Sequence, residues 1–101
     1  MWYNCYTLCV RFKYDKTKSE LLKNNPKRGV SFDEAKEIWN HRYYEDYRND
    51  GPEQFRAIGW VNGNLYSIIF EMREDQDGDY YHLVTLWKST QQEKKLYEKS
   101  K

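Results

Sequence analysis

Two prolines, two cysteines and five glycines are few breakers and few crosslinks for a chain of 101 residues. The shortage of proline and glycine argues against a flexible or low-complexity linker, so the chain reads as one domain over residues 1–101. Cys5 and Cys9 stand four apart. On a strand they face the same side but lie too far apart along it to bridge, so both read as reduced residues. His41 and His82 are the only histidines, and neither has cysteine or carboxylate neighbours at metal-site spacing. The expectation is no metal and no cofactor. No stretch approaches the ~18 apolar residues of a membrane span. Met1–Asn4 lacks the basic and apolar regions of a secretory leader; it reads as a poorly ordered extension of a cytoplasmic protein. Gly-rich phosphate loops and nucleophile elbows are absent as well.

What is present is charge and aromatic surface. Charged residues make up 33% of the chain and mean hydropathy is −1.13, yet ten tyrosines and four tryptophans raise the aromatic share to 18%. Such rings supply apolar area with polar tips that can stay wet. They can fill a small core, or they can stack unpaired bases. The net charge of +1 conceals a segregation. Val10 to Arg28 and Tyr80 to the C-terminus are basic, whereas Asp33 to Asp79 is acidic. If the two basic ends meet, they form a patch suited to a polyanion; if not, they are solvated lysines.

Alternation predicts a strand from Cys5 to Tyr14. Asp15 suits an N-cap for a helix from Lys16 to Asn24, with Pro26 and Gly29 beyond its end. Ser31-Phe32-Asp33-Glu34 is a capping box, and Phe32, Ala35, Ile38 and Trp39 fall on one helical stripe that should end near His41. Tyr43 to Gly51 reads as an irregular connection, with a short edge strand at Tyr43-Tyr44 as an option. Strands are expected at Phe55–Val61 and Leu65–Met72, joined by a type I′ turn at Asn62-Gly63. An acidic loop, Arg73–Asp79, should precede a last strand, Tyr80–Trp87. Thr90-Gln91-Gln92-Glu93 is a second capping box opening a final helix to about Glu98. The expected order is β-α-α-β-β-β-α, an α+β fold with an antiparallel sheet and its helices packed on one face.

His82 is the residue best suited to acid–base chemistry. Simple alternation puts Val84, Leu86 and Lys88 on its face. A histidine beside a cation can move a proton on and off a ribose oxygen while the cation neutralises a phosphate. A lone strand histidine can equally be structural. The acids of the Arg73–Asp79 loop lack calcium-loop spacing and read as a solvated turn.

Several segments together resemble the BrnT toxins. Tyr14-Asp15-Lys16-Thr17-Lys18 is similar to that family's aromatic-Asp-x-x-Lys opening. Lys27-Arg28-Gly29-Val30-Ser31-Phe32-Asp33-Glu34-Ala35 is similar to its Lys-His-Gly-Val-Ser-Phe-Glu-Glu-Ala. Gly51 to Gly59 matches a Glu-Arg-aromatic segment ending in Ile-Gly, and Thr90–Glu93 with Tyr97-Glu98 matches the end. The resemblance implies a RelE-like fold and a metal-independent ribonuclease toxin of a type II toxin–antitoxin pair. It also implies a BrnA-like antitoxin partner, an RNA substrate, and operator DNA bound only through the antitoxin. The catalytic candidates are then His82, Lys88, Arg28 and Glu53, and the RNA-binding candidates are Lys18, Lys27 and Trp87. Arg28 stands at the family's histidine, Gln54 replaces an arginine, and His82 and Trp87 stand where arginines are usual. Those departures leave an alternative: a catalytically weak toxin-fold binding module that acts with its antitoxin as a DNA-binding autorepressor. A gyrase-poisoning toxin of the same broad fold is a remoter alternative.

Overall fold

The computed structural model describes residues 11–48 and 54–99. Its elements are strand β1 (Arg11–Lys13), helix α1 (Lys16–Asn24), helix α2 (Phe32–Ala35) continuing as a 3-10 turn (Lys36–Asn40), strands β2 (Tyr44–Arg48), β3 (Gln54–Val61), β4 (Asn64–Asp75) and β5 (Gly78–Lys88), and helix α3 (Gln91–Lys99). The fold is α+β. Five strands form one sheet in the order β1-β5-β4-β3-β2.

Local chemistry sets most boundaries. The Asp15 carboxylate accepts the Lys18 amide at 3.1 Å and starts α1. Ser31 and Glu34 form the reciprocal capping box of α2. The Thr90 N–H donates to Glu93 Oε1 at 2.8 Å and the Glu93 N–H to Thr90 Oγ1 at 3.2 Å, the same device at the entry of α3. The β3–β4 hairpin turns through Asn62 and Gly63 at φ +50° and +83°, the positive pair that a type I′ turn requires.

Several expectations are corrected. The sheet is mixed, because β1 runs parallel to β5, with Phe12 beside Tyr81. The connection after His41 contains a full edge strand, β2, antiparallel to β3 from Tyr44↔Ile58 to Arg48↔Gln54. The acidic segment is not a loop: β4 and β5 stay paired out to Asp75↔Gly78, around a two-residue turn. Asp75 stabilises that turn by accepting the Asp77 amide at 2.9 Å, while Gly78 takes φ +112°. Finally, the stripe after Ser31 is α-helical only to Ala35. The tighter 3-10 turn carries Ile38 and Trp39 onto the sheet, where Ile38 Cγ2 lies 2.9 Å from the place a Cβ on Gly59 would occupy. Packing against the sheet outweighs the α-helical pattern there.

The helices occupy both faces, not one. On the first face Leu22, Val30, Phe32, Ala35, Ile38 and Trp39 cluster with Ala57, Val61, Tyr66, Ile68, Phe70, Leu83 and Leu86 of the sheet to form the main core. On the second face α3 packs Tyr97 against Ile58 and Leu65. The two lysine-rich helices therefore lie on opposite faces, and the two basic ends of the chain meet instead where β1 pairs with β5. Cys5, Cys9 and the first part of the expected N-terminal strand lie outside the described residues.

Candidate functional site

A bulge in β5 decides which residues share a face. Ile69 pairs with Thr85 and Phe70 with Leu83, so Val84 is an extra residue in β5. The insertion reverses the alternation downstream of it. His82 consequently shares the second face with Thr85 and Trp87, opposite Glu71, Ile69 and Ser67. Leu86 and Lys88 turn to the first face, opposite Ile68 and Tyr66. The grouping of His82 with Leu86 and Lys88 is thus corrected. Six residues of strand, roughly 20 Å, also separate His82 from Lys88.

His82 instead has charged neighbours from three strands. In register it lies between Glu71 on β4 and Lys13 on β1. Glu71 accepts from Gln54 Nε2 at 3.1 Å and pairs with Arg73. These bonds, the Gln54 contact foremost, hold the Glu71 carboxyl below the usual glutamate range against the opposing effect of burial, and the charge of His82 adds to them. Lys13 Nζ sits 4.4 Å from the centroid of the Tyr80 ring and 2.6 Å from Asp75 Oδ2. The imidazole makes no hydrogen bond among the described residues. The arrangement is a half-buried histidine and an ionised carboxylate with two exposed cations on one side of a sheet. It can take a proton from a hydroxyl and hold an anion beside it.

The other candidates lie elsewhere. Arg28 follows α1, and its Nε donates to the Leu86 carbonyl at 2.8 Å. β1 lies alongside only Tyr80–His82 of β5, so Arg28 caps the strand beyond the reach of β1. The Tyr66 hydroxyl donates to the Arg28 carbonyl. Arg28 and Lys88 therefore gather at the far end of β5 on the first face. Lys18 is exposed on α1, and Lys27 is exposed in the turn after it. Trp87 is on the same face as His82, but its Nε1–H donates to Glu93 at 2.9 Å. Glu53 lies outside the described residues.

A second polar cluster continues that face under α3. Arg56 Nε donates to Asp46 Oδ1 at 3.1 Å, and Arg56 Nη1 donates to Glu93 Oε2 at 3.3 Å. Ser67 and Ser89, both buried, share a hydrogen bond of 2.9 Å. Burial pushes the Glu93 carboxyl up, but the Thr90 amide, Trp87, Ser67 and the Arg56 charge together outweigh it and leave it below the ordinary value. The one cation on the middle of β3 is thus neutralised from two sides.

Sequence reasoning missed Lys13, Glu71 and Arg73 as site residues. For Glu71 and Arg73 the available signal was the Asn62-Gly63 turn, which fixes the β3–β4 register and sets Leu65, Ser67, Ile69, Glu71 and Arg73 on one face; Lys13, on β1, had none. The β4–β5 turn at Asp75↔Gly78 sets His82 opposite Glu71, and the bulge that takes Lys88 off that face has no mark in the sequence. Among the described residues no helix is long and apolar enough to cross a membrane, and no group of three or more His, Cys, Asp or Glu side chains is placed to hold a metal ion. The chain matches no protein-family model and no curated protein sequence.

Proposed function

We propose that this chain is a ribonuclease toxin of a type II toxin–antitoxin pair, with a RelE-like fold, of the BrnT kind that its motifs resemble. The observation that supports cleavage is His82 opposite Glu71, flanked by Lys13 and Arg73, on the second face. In this reading the RNA backbone lies across β4 and β5. His82 takes the proton of a ribose 2′-hydroxyl as that oxygen attacks the adjacent phosphorus. The bond to the 5′-oxygen breaks, and the departing oxygen takes a proton from water. The products are a 2′,3′-cyclic phosphate and a 5′-hydroxyl. Arg73 and Lys13 offset the charge that builds on the phosphate, and Glu71 stabilises the imidazolium that forms. A BrnA-like antitoxin would neutralise the protein and carry the contacts to operator DNA.

The test is RNA cleavage by the purified chain, with EDTA present, alongside growth on expression. The wild type should cleave and arrest growth, and H82Q should lose roughly 100-fold or more in rate with its fold intact by circular dichroism. Wild-type protein that leaves RNA whole and cells healthy would sink the proposal.

A second reading has its own support. Arg56 is closed off by Asp46 and Glu93, and the Trp87 N–H is committed to Glu93, so two groups that could hold RNA are already engaged. A binding module acting through its antitoxin would form a tight complex, bind operator DNA and show no toxicity, and H82Q would change none of this.

A further inference from the structure

On the second face, away from His82, a cavity of about 450 Å³ opens between α3 and the β3–β4 hairpin, lined by Arg42, Trp60, Gly63, Asn64, Leu65, Lys94, Tyr97 and Glu98. Its size falls within the range of small-molecule sites. Leu65 and Tyr97 are buried and form its floor. The Arg42 guanidinium lies over the Tyr97 ring, 4.6 Å from the centroid. Trp60 meets Tyr97 edge to face at 88°, centroids 6.4 Å apart, yet stays 46% exposed. So large an indole left open on a strand end beside a cavity is a platform without a covering. Lys94 and Glu98 stand at i and i+4 of α3, the spacing that favours an ion pair, yet no such pair forms among the described residues. Both side chains line the cavity instead.

We infer that this cavity binds a single nucleotide, with the base stacked on Trp60 and the phosphate held by Lys94 beside Arg42. The exposed ring supplies a surface that every base can stack on. Lys94 supplies a cation for the phosphate, and Asn64 and Glu98 offer an amide and a carboxylate to a base edge. An apolar side chain from a protein partner fits less well, because it would desolvate Lys94 and Glu98 without pairing either. The site needs no cleavage chemistry and shares no residue with the proposed catalytic group on the same face.

Isothermal titration with AMP tests it. The wild-type chain should bind AMP saturably and adenosine more weakly. W60A should weaken AMP roughly tenfold or more, while W60F retains most of the affinity. K94E should remove the preference for AMP over adenosine. Both positions are exposed, so circular dichroism should report native folds. H82Q should bind AMP as the wild type does, even if it has lost RNA cleavage; the two proposals thus fail separately. No saturable AMP binding, or W60A and K94E variants that bind normally, would overturn the inference. So would a cavity that takes up the apolar dye ANS without releasing it to AMP, which marks a docking site for an apolar partner.

Discussion

On one face of the sheet Phe32, Ile38, Ala57, Ile68 and Phe70 are wholly buried, and Trp39 and Tyr81 pack their rings around them. On the other face, at the same depth, Ser67 meets Ser89, and Glu93 gathers Thr90, Trp87 and Arg56. The first face is stabilised by area removed from water and by close ring packing, which depend little on pH or salt. The second depends on polar groups that must all be matched, since each one left unpaired costs more than its bond contributes. Most of a small domain's stability therefore resides on one side of the sheet. The other side is free to hold charged groups that a stabilising core would exclude.

The sharpest way to break this division is Phe70→Ala. Phe70 packs on Trp39, Phe55 and Tyr81 with ring centroids 5.3, 5.6 and 4.7 Å away. Deleting it should cost about 3–5 kcal/mol, by urea denaturation, at neutral and mildly acidic pH alike. A loss under about 1 kcal/mol would mean that the aromatic face collapses readily around a void.

Glu93→Ala tests the polar face. It strips the acceptor from the Thr90 amide, the Trp87 indole and one side of Arg56. The expected cost is about 3 kcal/mol, the range for breaking a buried charged contact together with a helix cap, with a change in Trp87 fluorescence. The folded carboxyl lies below its ordinary value of 4.5. Its contribution is therefore complete above that value and fades as pH falls through the lower folded one. Wild type and variant should thus converge in strong acid and differ at neutral pH. A constant difference across that range would show that Glu93 acts by packing alone.

The two faces were unequally legible in the sequence. Phe32, Ala35, Ile38 and Trp39 repeat at helical spacing, and all four are buried as that pattern implies. The capping boxes and the Asn62-Gly63 turn are local devices, and local devices can be read from neighbouring residues. The polar face is built from distant ones. Arg56 meets Glu93 across 37 positions, and Arg11 meets Asp75 across 64, and no short-range spacing encodes either. The displacement of Lys88 from the face of His82 rests on one extra residue at Val84, a change of register that periodicity cannot anticipate because it assumes none. His82 was identifiable as a candidate from its residue type alone. Its partners Glu71, Arg73 and Lys13 required the sheet.

The smallest expected effect concerns the edge where β1 joins the second face. Asp75 accepts from Arg11 Nη2 at 2.8 Å and from Lys13 Nζ at 2.6 Å. With Arg11 first and Lys13 second, these contacts hold its carboxyl far below the usual aspartate range. All three side chains are a quarter to a half exposed, so water and salt screen the pairs and global stability should hardly respond to Asp75→Asn. The local response should be visible. β1 spans three residues and buries Phe12 only in part, so its amides should exchange faster with solvent in the variant than in the wild type. A depressed carboxylate keeps its contribution above the ordinary aspartate value and loses it as pH falls through the folded one. The difference in exchange, corrected for intrinsic rates, should therefore persist through pH ~4 and shrink only in stronger acid. If the amides of Arg11–Lys13 exchange alike in both proteins, β1 is held by its ladder to β5 and by Phe12 alone. In that case even this border of the polar face is stabilised from the apolar side.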